Sequence, residues 1–235
     1  MVSAVIKNWD NNTWLSSDGY IKSFNNFLVK NIKLNSKSKI LDIGCGRGKI
    51  LGSLSSKLRL KKKQLGIDII NHKDKDKRIK FQKVDASDFF LKNKSKFDLI
   101  LIKQTIHLLN FKEIKKLLIL SKKNLNQNGK ILIFTLDTRE NELPTFKLMK
   151  TKLTNSFKKD KKILKFITKL YPYKKNNFIY KVNIKKKDYL RMIQCRYIST
   201  LLSLTNKELQ IGMNEIDYRY KDNIKFFDKL ICVIL

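Results

Sequence analysis

Residues 40–48 read Ile-Leu-Asp-Ile-Gly-Cys-Gly-Arg-Gly, a sequence typical of a strand, a tight turn and the start of a helix. The apolar run that ends at Ile43 predicts a buried strand, and the periodic apolar residues after it predict a helix over 48–59. Glycines at positions 44, 46 and 48 allow a sharp turn between them and let a ligand approach the backbone closely. The helix that follows directs free N–H groups and a positive dipole end toward such a ligand.

The rest of the chain repeats this strand–helix alternation, which predicts a parallel sheet with helices on both sides. Asp18 is placed to cap a first helix, and Asn110 and Glu113 have the spacing of a capping box. Asn128-Gly129 predicts the end of that second unit. Strands are predicted at 39–43, 64–69, 79–84, 97–102 and 130–136. The remaining residues predict a basic helical segment at 143–172, helices at 187–198 and from Thr205, and closing strands at 224–227 and 229–235.

The net charge of +32 and the pI of about 10.1 have two readings. The chain has 45 Lys against 7 Arg, together with many Ile and Asn and few Ala and Pro, which is the skew of an A/T-rich genome. A positive field that gathers anionic partners is the other reading. Residues 147–187 concentrate the charge, with 15 Lys and Asp160 as their one acid.

Three acidic positions follow predicted strands and define a nucleotide-like site. Asp42 precedes the glycine turn, and Asp68 lies twenty residues past Gly48, the spacing at which a carboxylate reaches ribose hydroxyls. Asp85-Ala86 forms a third acidic turn. No Gly-Lys-Ser/Thr closes the loop, which argues against a Walker-type phosphate site, and the loop is one residue short of the dinucleotide pattern.

These motifs carry a resemblance to a known family. ILDIGCGRG, LGID, VDASDF and FDLILIKQTIH resemble the class I S-adenosylmethionine-dependent methyltransferases over residues 39–136. WDNNTWLSSDGY and RYISTLLSL look most like the small-molecule branch that includes trans-aconitate methyltransferase. The resemblance implies a Rossmann-like α/β fold: a doubly wound, mostly parallel seven-stranded sheet with an antiparallel last strand and a small helical lid. As one domain, it would comprise a lid helix (1–35), a cofactor-binding core (36–142), a basic helical cap (143–215) and closing strands (216–235).

The resemblance also implies roles in binding S-adenosylmethionine, which leaves as S-adenosylhomocysteine. Asp42 would lie near the methionine ammonium, Asp68 would bind the ribose hydroxyls, and Asp85 would accept from the adenine amino group. Lys103 and Gln104 would lie beside the sulfonium and the substrate. The predicted cofactor-binding residues are Asp42, Gly44, Cys45, Gly46, Asp68, Ile69, Asp85, Ala86 and Lys103. Arg47 departs from the small residue often found there, which is harmless if its side chain points to solvent.

Candidate catalytic and substrate-binding residues come from the ends of strands and from scarce residue types. His107 and Gln104 follow the fourth strand, where doubly wound folds bind ligands; His107 would act as a base or orient the substrate, unless it only satisfies nearby backbone. Arg196, with Tyr197 beside it, would pair with a substrate carboxylate, unless it forms a helix-surface salt bridge. Trp9, Trp14 and Tyr20 either form a lid over the cofactor or pack the first helix.

Other features bound the partners and the compartment. No apolar run approaches the roughly 18 residues of a membrane span, and the first residues lack signal-peptide features. Cys45, Cys195 and Cys232 are scattered, which favours a reducing, cytoplasmic compartment, and no His/Cys cluster has metal-ligand spacing. His72, among charged residues, is expected to be solvated.

Three functions remain open at this stage. The first is methyl transfer to a small, carboxylate-bearing metabolite by in-line displacement. The alternative is an RNA methyltransferase that binds phosphates through the lysine-rich 147–187 region, although the Asn/Asp-Pro-Pro-aromatic motif is absent. A cofactor-binding fold without activity is the third, and the intact set of acidic and glycine positions argues against it. The oligomeric state is not predicted.

Overall fold

A computed structural model of the chain describes residues 13–235. Over these residues the chain forms seven α-helices and a seven-stranded sheet. The strands are β1 (Ile40–Ile43), β2 (Leu65–Asp68), β3 (Lys80–Lys83), β4 (Phe97–Lys103), β5 (Leu125–Leu136), β6 (Lys174–Lys185) and β7 (Asn223–Ile234). The helices are α1 (Asp18–Asn31), α2 (Lys49–Lys57), α3 (Ala86–Lys92), α4 (Phe111–Lys123), α5 (Lys147–Leu170), α6 (Lys186–Gln194) and α7 (Asn206–Arg219).

The sheet has the strand order β3-β2-β1-β4-β5-β7-β6. The strands from β3 through β5 pair in parallel, and β7 pairs antiparallel with β5. The predicted fold class, with its antiparallel last strand, is therefore confirmed. Because the strand order reverses between β1 and β4, the carboxyl ends of these strands form the crevice where doubly wound sheets bind ligands.

Buried strands at the centre of the sheet explain the continuous apolar runs of the sequence. All four residues of β1 are buried, and the residues from Leu99 to Ile102 of β4 are completely or almost completely inaccessible. A strand that is covered on both faces by helices has no solvent side, so polar alternation is lost. Asp42 is the one charged residue in β1. Burying a charged group costs free energy, so a role in ligand binding would explain its position.

The chain divides into two compact units. The sheet unit comprises residues 21–136, 163–178 and 230–235 and holds β1 to β5 with the apolar core around them. The second unit comprises, within the described residues, 13–20, 137–162 and 179–229. The predicted cofactor-binding core of 36–142 falls almost entirely in the sheet unit, and the predicted division of the chain into a lid, a core and a cap stays a prediction.

Two capping boxes start helices where the sequence predicts them. The Asn110 side chain accepts from the Glu113 N–H before α4, and the Thr205 side chain does the same for Glu208 before α7. The cap of α1 was placed one residue too late, because the Ser17 hydroxyl accepts from the Tyr20 N–H and Asp18 is already helical.

Two predictions about the second half are wrong. The supposedly helical 143–215 segment contains β6, a twelve-residue strand at the edge of the sheet, in which Phe178 and Val182 are buried between exposed residues. Asn128-Gly129 does not end a unit before a strand. It lies inside β5, where the register against β4 shifts between Phe97 and Leu99. A Cβ at Gly129 would lie 2.7 Å from the Phe97 carbonyl oxygen, so this irregular segment needs glycine.

Candidate cofactor site

The glycine turn joins β1 to α2 with three glycines in left-handed conformations. Gly44, Gly46 and Gly48 have φ values of +70°, +54° and +73°. A Cβ at Gly44 would lie 2.2 Å from Thr105 Oγ1, and one at Gly48 would lie 2.1 Å from Ile79 Cδ1. At Gly46 a Cβ would meet no atom within 4 Å. Two of the glycines therefore allow side chains to pack against the turn, and Gly46 alone leaves its α-carbon face open for a ligand.

Asp68 at the end of β2 braces this turn. Its Oδ2 accepts from the Gly46 N–H at 2.9 Å, and its Oδ1 accepts from the Ile70 N–H at 2.9 Å. Each carboxylate oxygen has a second lone pair, so both can still accept from a ligand's hydroxyl groups. The neighbouring Ile69 side chain is 64% exposed and could cover the face of a bound group.

Asp42 is a buried carboxyl, only 4% exposed. Burial raises its pKa from 3.8 to about 7; the Lys103 ammonium lowers the pKa, and the Asp68 carboxylate raises it further. Desolvation of the charged form dominates here. A cation bound next to Asp42 would offset that desolvation, so the site favours a positively charged ligand group.

Cys45 lies within the turn and has no acidic thiol. Burial raises its pKa, and the carboxylates of Asp42 and Asp68 raise it further. Its Sγ donates to the Gly46 carbonyl oxygen at 3.6 Å, and a Cβ at Gly66 would lie 2.7 Å from this sulfur. Cys45 therefore packs the turn against β2 as a neutral thiol.

Asp85 and Ala86 follow β3, which pairs with β2. Asp85 caps α3, because its Oδ1 accepts from the Ser87 N–H at 2.7 Å. The side chain is exposed and Ala86 is half-buried, so the turn is accessible to a ligand. With Asp42 and Asp68, the structure places an acidic residue at the carboxyl end of each of three neighbouring strands.

The chain after β4 forms the other side of the crevice. Gln104 has a φ of +51°, which is unfavourable for a residue with a side chain, and its N–H donates to the Phe134 carbonyl oxygen at 2.8 Å. Lys103 Nζ donates to Gln104 Oε1 at 3.2 Å. His107 is half-buried in a 3₁₀ turn at Ile106–Leu108. Thr105, which packs on Gly44, was missed by the sequence analysis because no local pattern marks it.

The predicted substrate residues Trp14, Tyr20 and Tyr197 are buried in the core of the second unit. Trp14 Nε1 donates to Asp228 Oδ2 at 3.1 Å, and its ring packs edge-on against Tyr197 at 5.3 Å between centroids. Tyr20 is completely inaccessible, and burial raises its pKa. These rings have a packing role, and a substrate role for them stays a prediction. Trp9 lies outside the described residues.

Arg196 is engaged with its own loop. Its NH1 group donates to the carbonyl oxygens of Leu201 and Leu204, both at 2.6 Å, and its NH2 group donates to Asn206 Oδ1 at 3.0 Å. This is neither the helix-surface salt bridge nor an open guanidinium. The proposed pairing of Arg196 with a substrate carboxylate stays a prediction.

The surface assignment of His72 is wrong, and the condition set for Arg47 is not met. His72 is only 3% exposed rather than solvated, although it is surrounded in sequence by charged residues. Arg47 is 4% exposed and does not point to solvent; its carbonyl oxygen accepts from the Asp76 N–H at 2.8 Å. The Asp76 N–H that Arg47 binds belongs to the loop after β2.

Over residues 13–235, no group of three or more His, Cys, Asp and Glu side chains is arranged to hold a metal ion. No helix described over the same residues is long and apolar enough to cross a membrane.

Comparisons with known proteins assign the chain to a family. The family model described as "Methyltransferase domain" matches residues 34–195, more than half of the chain, and the chain therefore belongs to this family. Its sheet order and antiparallel last strand are those of the Rossmann-like methyltransferase fold. No curated protein matches the chain. The narrower likeness to trans-aconitate methyltransferase is not confirmed.

Solved structures share the fold at low sequence identity. A putative methyltransferase from an antibiotic biosynthesis pathway of Anabaena variabilis has a TM-score of 0.60 and 13% identity, covering 90% of this chain and 96% of that one. A methyltransferase of Geobacter sulfurreducens in complex with S-adenosylhomocysteine has a TM-score of 0.54 and 15% identity, covering 93% and 91%. The plantazolicin methyltransferase BpumL, in complex with a pentazolic desmethylPZN analog and S-adenosylhomocysteine, has a TM-score of 0.53 and 18% identity, covering 98% and 89%.

Proposed function

We propose that this chain transfers the methyl group of S-adenosylmethionine to a small, carboxylate-bearing molecule by in-line displacement. The observation that carries the proposal is the set of three carboxylates, Asp42, Asp68 and Asp85, which lie at or just after the carboxyl ends of three adjacent strands. Asp68 accepts from the N–H of Gly46, whose α-carbon face is open. The cofactor, when bound, supplies an activated methyl group on a sulfonium. The protein then has to align donor and acceptor and exclude water.

Each acidic residue suits one part of the cofactor. Asp42 is buried and is stabilised in its charged form by a cation, which fits the methionine ammonium. Asp68 keeps two free lone pairs for the ribose hydroxyls while its other lone pairs brace the turn. Asp85 is exposed at the end of β3, next to the strand of Asp68, and fits the adenine amino group.

The orientation of Gln104 supports an oxygen-bearing substrate. A lysine ammonium can only donate, so the Gln104 oxygen must face Lys103 and the amide NH₂ group must face away from it. The two N–H donors of that group suit a carboxylate oxygen. His107, further along the same segment, would orient the acceptor or take its proton if it arrives protonated. The positive charge of the chain would favour the approach of an anion.

The first test measures S-adenosylhomocysteine binding by calorimetry. Asp68→Ala should weaken binding by about 1–3 kcal/mol, or about 5- to 150-fold, because the ribose hydroxyls lose a charged acceptor. Asp88→Ala removes an exposed carboxylate from the first turn of α3 and serves as the matched control, with no expected change. Equal binding by the wild-type protein and Asp68→Ala would remove Asp68 from the site.

The second test identifies the substrate class. The protein is incubated with methyl-labelled S-adenosylmethionine and either a metabolite extract or total RNA, and the metabolites are then separated by anion exchange. Label in the acidic small molecules is the expected result. Label in RNA, or only in neutral or cationic metabolites, would refute the proposed substrate class.

A further inference from the structure

Two opposite charges lie on one face of the sheet at the cofactor crevice. Asp42 of β1 pairs with Leu101 of β4, and Lys103 lies two residues beyond Leu101. Because side chains alternate along a strand and paired residues share a face, Asp42 and Lys103 project from the same face. The rise per residue and the strand spacing put their Cα atoms about 8 Å apart.

The neighbours of Lys103 hold its ammonium in a defined position. Lys103 pairs with Phe134 of β5, and the ring of Phe24 packs against Phe134 at 4.7 Å between centroids. Lys103 Nζ lies 5.5 Å from the centroid of Phe24, within range of a cation–π interaction. Its hydrogen bond to Gln104 Oε1 fixes it from the other side. No local sequence pattern marks Phe24 as part of the site.

The charges of S-adenosylmethionine allow only one placement for a lysine ammonium. The cofactor carries a positive sulfonium and a positive ammonium, and its carboxylate is its one anion. Lys103 would repel the first two groups and attract the third. Asp42 would attract the ammonium of the same amino-acid end. A carboxylate and an ammonium on one face of the sheet are thus complementary to a zwitterion lying between them.

We propose that Lys103 binds the methionine carboxylate of the cofactor, next to the ammonium position that the resemblance implies for Asp42. The Asp42 carboxylate accepts from the methionine ammonium, and the Lys103 ammonium donates to the methionine carboxylate. This inference rests on the proposed function, and it replaces the position beside the sulfonium that the resemblance implied for Lys103. It makes Lys103 a specificity residue that favours the complete cofactor over adenosine thioethers that lack the carboxylate.

Calorimetry with three ligands tests the inference without any methyl acceptor. S-adenosylhomocysteine carries both charged groups, S-adenosyl-3-thiopropylamine keeps the amine and lacks the carboxylate, and 5′-methylthioadenosine lacks both. The wild-type protein should bind S-adenosylhomocysteine at least 10-fold more tightly than the thiopropylamine. Lys103→Met should weaken S-adenosylhomocysteine binding at least 10-fold, the size expected for a charged hydrogen bond. It should leave 5′-methylthioadenosine binding within about 2-fold and should not weaken binding of the thiopropylamine, whose ammonium Lys103 repels.

Matched variants separate this role from a loss of charge or of folding. Lys112→Met removes a lysine from the exposed face of α4 and should change none of the three affinities. Lys103→Arg keeps the charge and should retain the preference for the carboxylate. Asp42→Asn should weaken both amine-bearing ligands and spare 5′-methylthioadenosine, whose binding also reports an intact site.

The outcomes distinguish this inference from the proposed function. If Lys103→Met lowers all three affinities equally, or none of them, the inference is refuted while the cofactor site stands. If Lys103→Arg behaves as Lys103→Met does, the charge of Lys103 is not what recognises the carboxylate, and the inference is again refuted. If the wild-type protein binds none of the three ligands, the proposed function itself fails.

Discussion

Replacing Asp42 by Asn should make the ligand-free protein more stable at alkaline pH. Burial raises the pKa of Asp42 from 3.8 to about 7, so the folded protein holds this proton more tightly than the unfolded chain does. Ionising the buried Asp42 therefore lowers the free energy of unfolding. By linkage, this destabilisation is absent below pH 4, grows as the pH rises toward 7, and is complete above pH 7. At about 1.36 kcal/mol for each pH unit between the two pKa values, it amounts to about 4 kcal/mol.

The Asn side chain has nearly the same shape and no charge, so it removes that penalty and retains a smaller cost for burying an amide. We therefore expect Asp42→Asn to raise the free energy of unfolding by about 2–4 kcal/mol at pH 8. At pH 4 the two proteins should be equally stable, because Asp42 is then protonated in the folded state. The exposed Asp88→Asn is the control and should have no effect at either pH.

Urea titrations at pH 8 and pH 4 measure this difference as a shift of the midpoint at constant slope. For a chain of this length, thermal melting at pH 8 should show an increase of roughly 4–16 °C. A variant that is less stable than the wild type at pH 8, or a gain that is the same at both pH values, would refute the argument that Asp42 is a desolvated charge. If the stabilised variant binds S-adenosylhomocysteine more weakly, the Asp42 carboxylate is needed for cofactor binding although it lowers the stability of the fold.

Two further predictions concern the same crevice. Since the cofactor ammonium favours ionised Asp42, the affinity for S-adenosylhomocysteine should fall about tenfold per pH unit below pH 7 in the wild type, and calorimetry should find no such slope in Asp42→Asn. Gly46→Ala, whose Cβ meets no atom within 4 Å, should destabilise the fold by only about 1–2 kcal/mol of backbone strain while weakening cofactor binding. Gly44→Ala should destabilise the fold more, because its Cβ would lie 2.2 Å from Thr105 Oγ1. Urea titration measures both losses of stability, and equal losses would contradict the different roles of these two glycines.

The edge strand β6 shows how a usable signal can be overlooked. Residues 178–184 carry Phe, Tyr, Val and Ile at alternating positions, and Phe178 and Val182 are buried in this pattern. The lysines and asparagines of 174–177, with Lys181 and Asn183 further on, resemble the basic helical segment before Pro172, so the alternation was not recognised as a strand. Charged residues on an edge strand also discourage pairing with other chains, so the lysines that concealed the strand are appropriate to it.

Other misses carried no local signal. His72 lies among charged residues and Arg47 lies between two glycines, and only the tertiary structure shows that both are buried. Arg196 was chosen because arginine is scarce, but the carbonyl groups that its guanidinium binds belong to a turn that the sequence does not reveal. Residue type indicates which groups can bind a ligand, and it does not show which of them the protein already uses internally.

The fold class, the position of the glycine turn and the order of acidic residues along the strands could all be predicted from the sequence. These features depend on the periodicity of apolar residues and on residues a few positions apart, which act through local sterics and hydrogen bonding. The tertiary structure decided that Gly46 alone is open, that Asp42 bears the desolvation of a buried charge, and that Lys103 lies on its face of the sheet. Burial and electrostatic coupling depend on which distant segments pack together, and no short stretch of sequence contains that information.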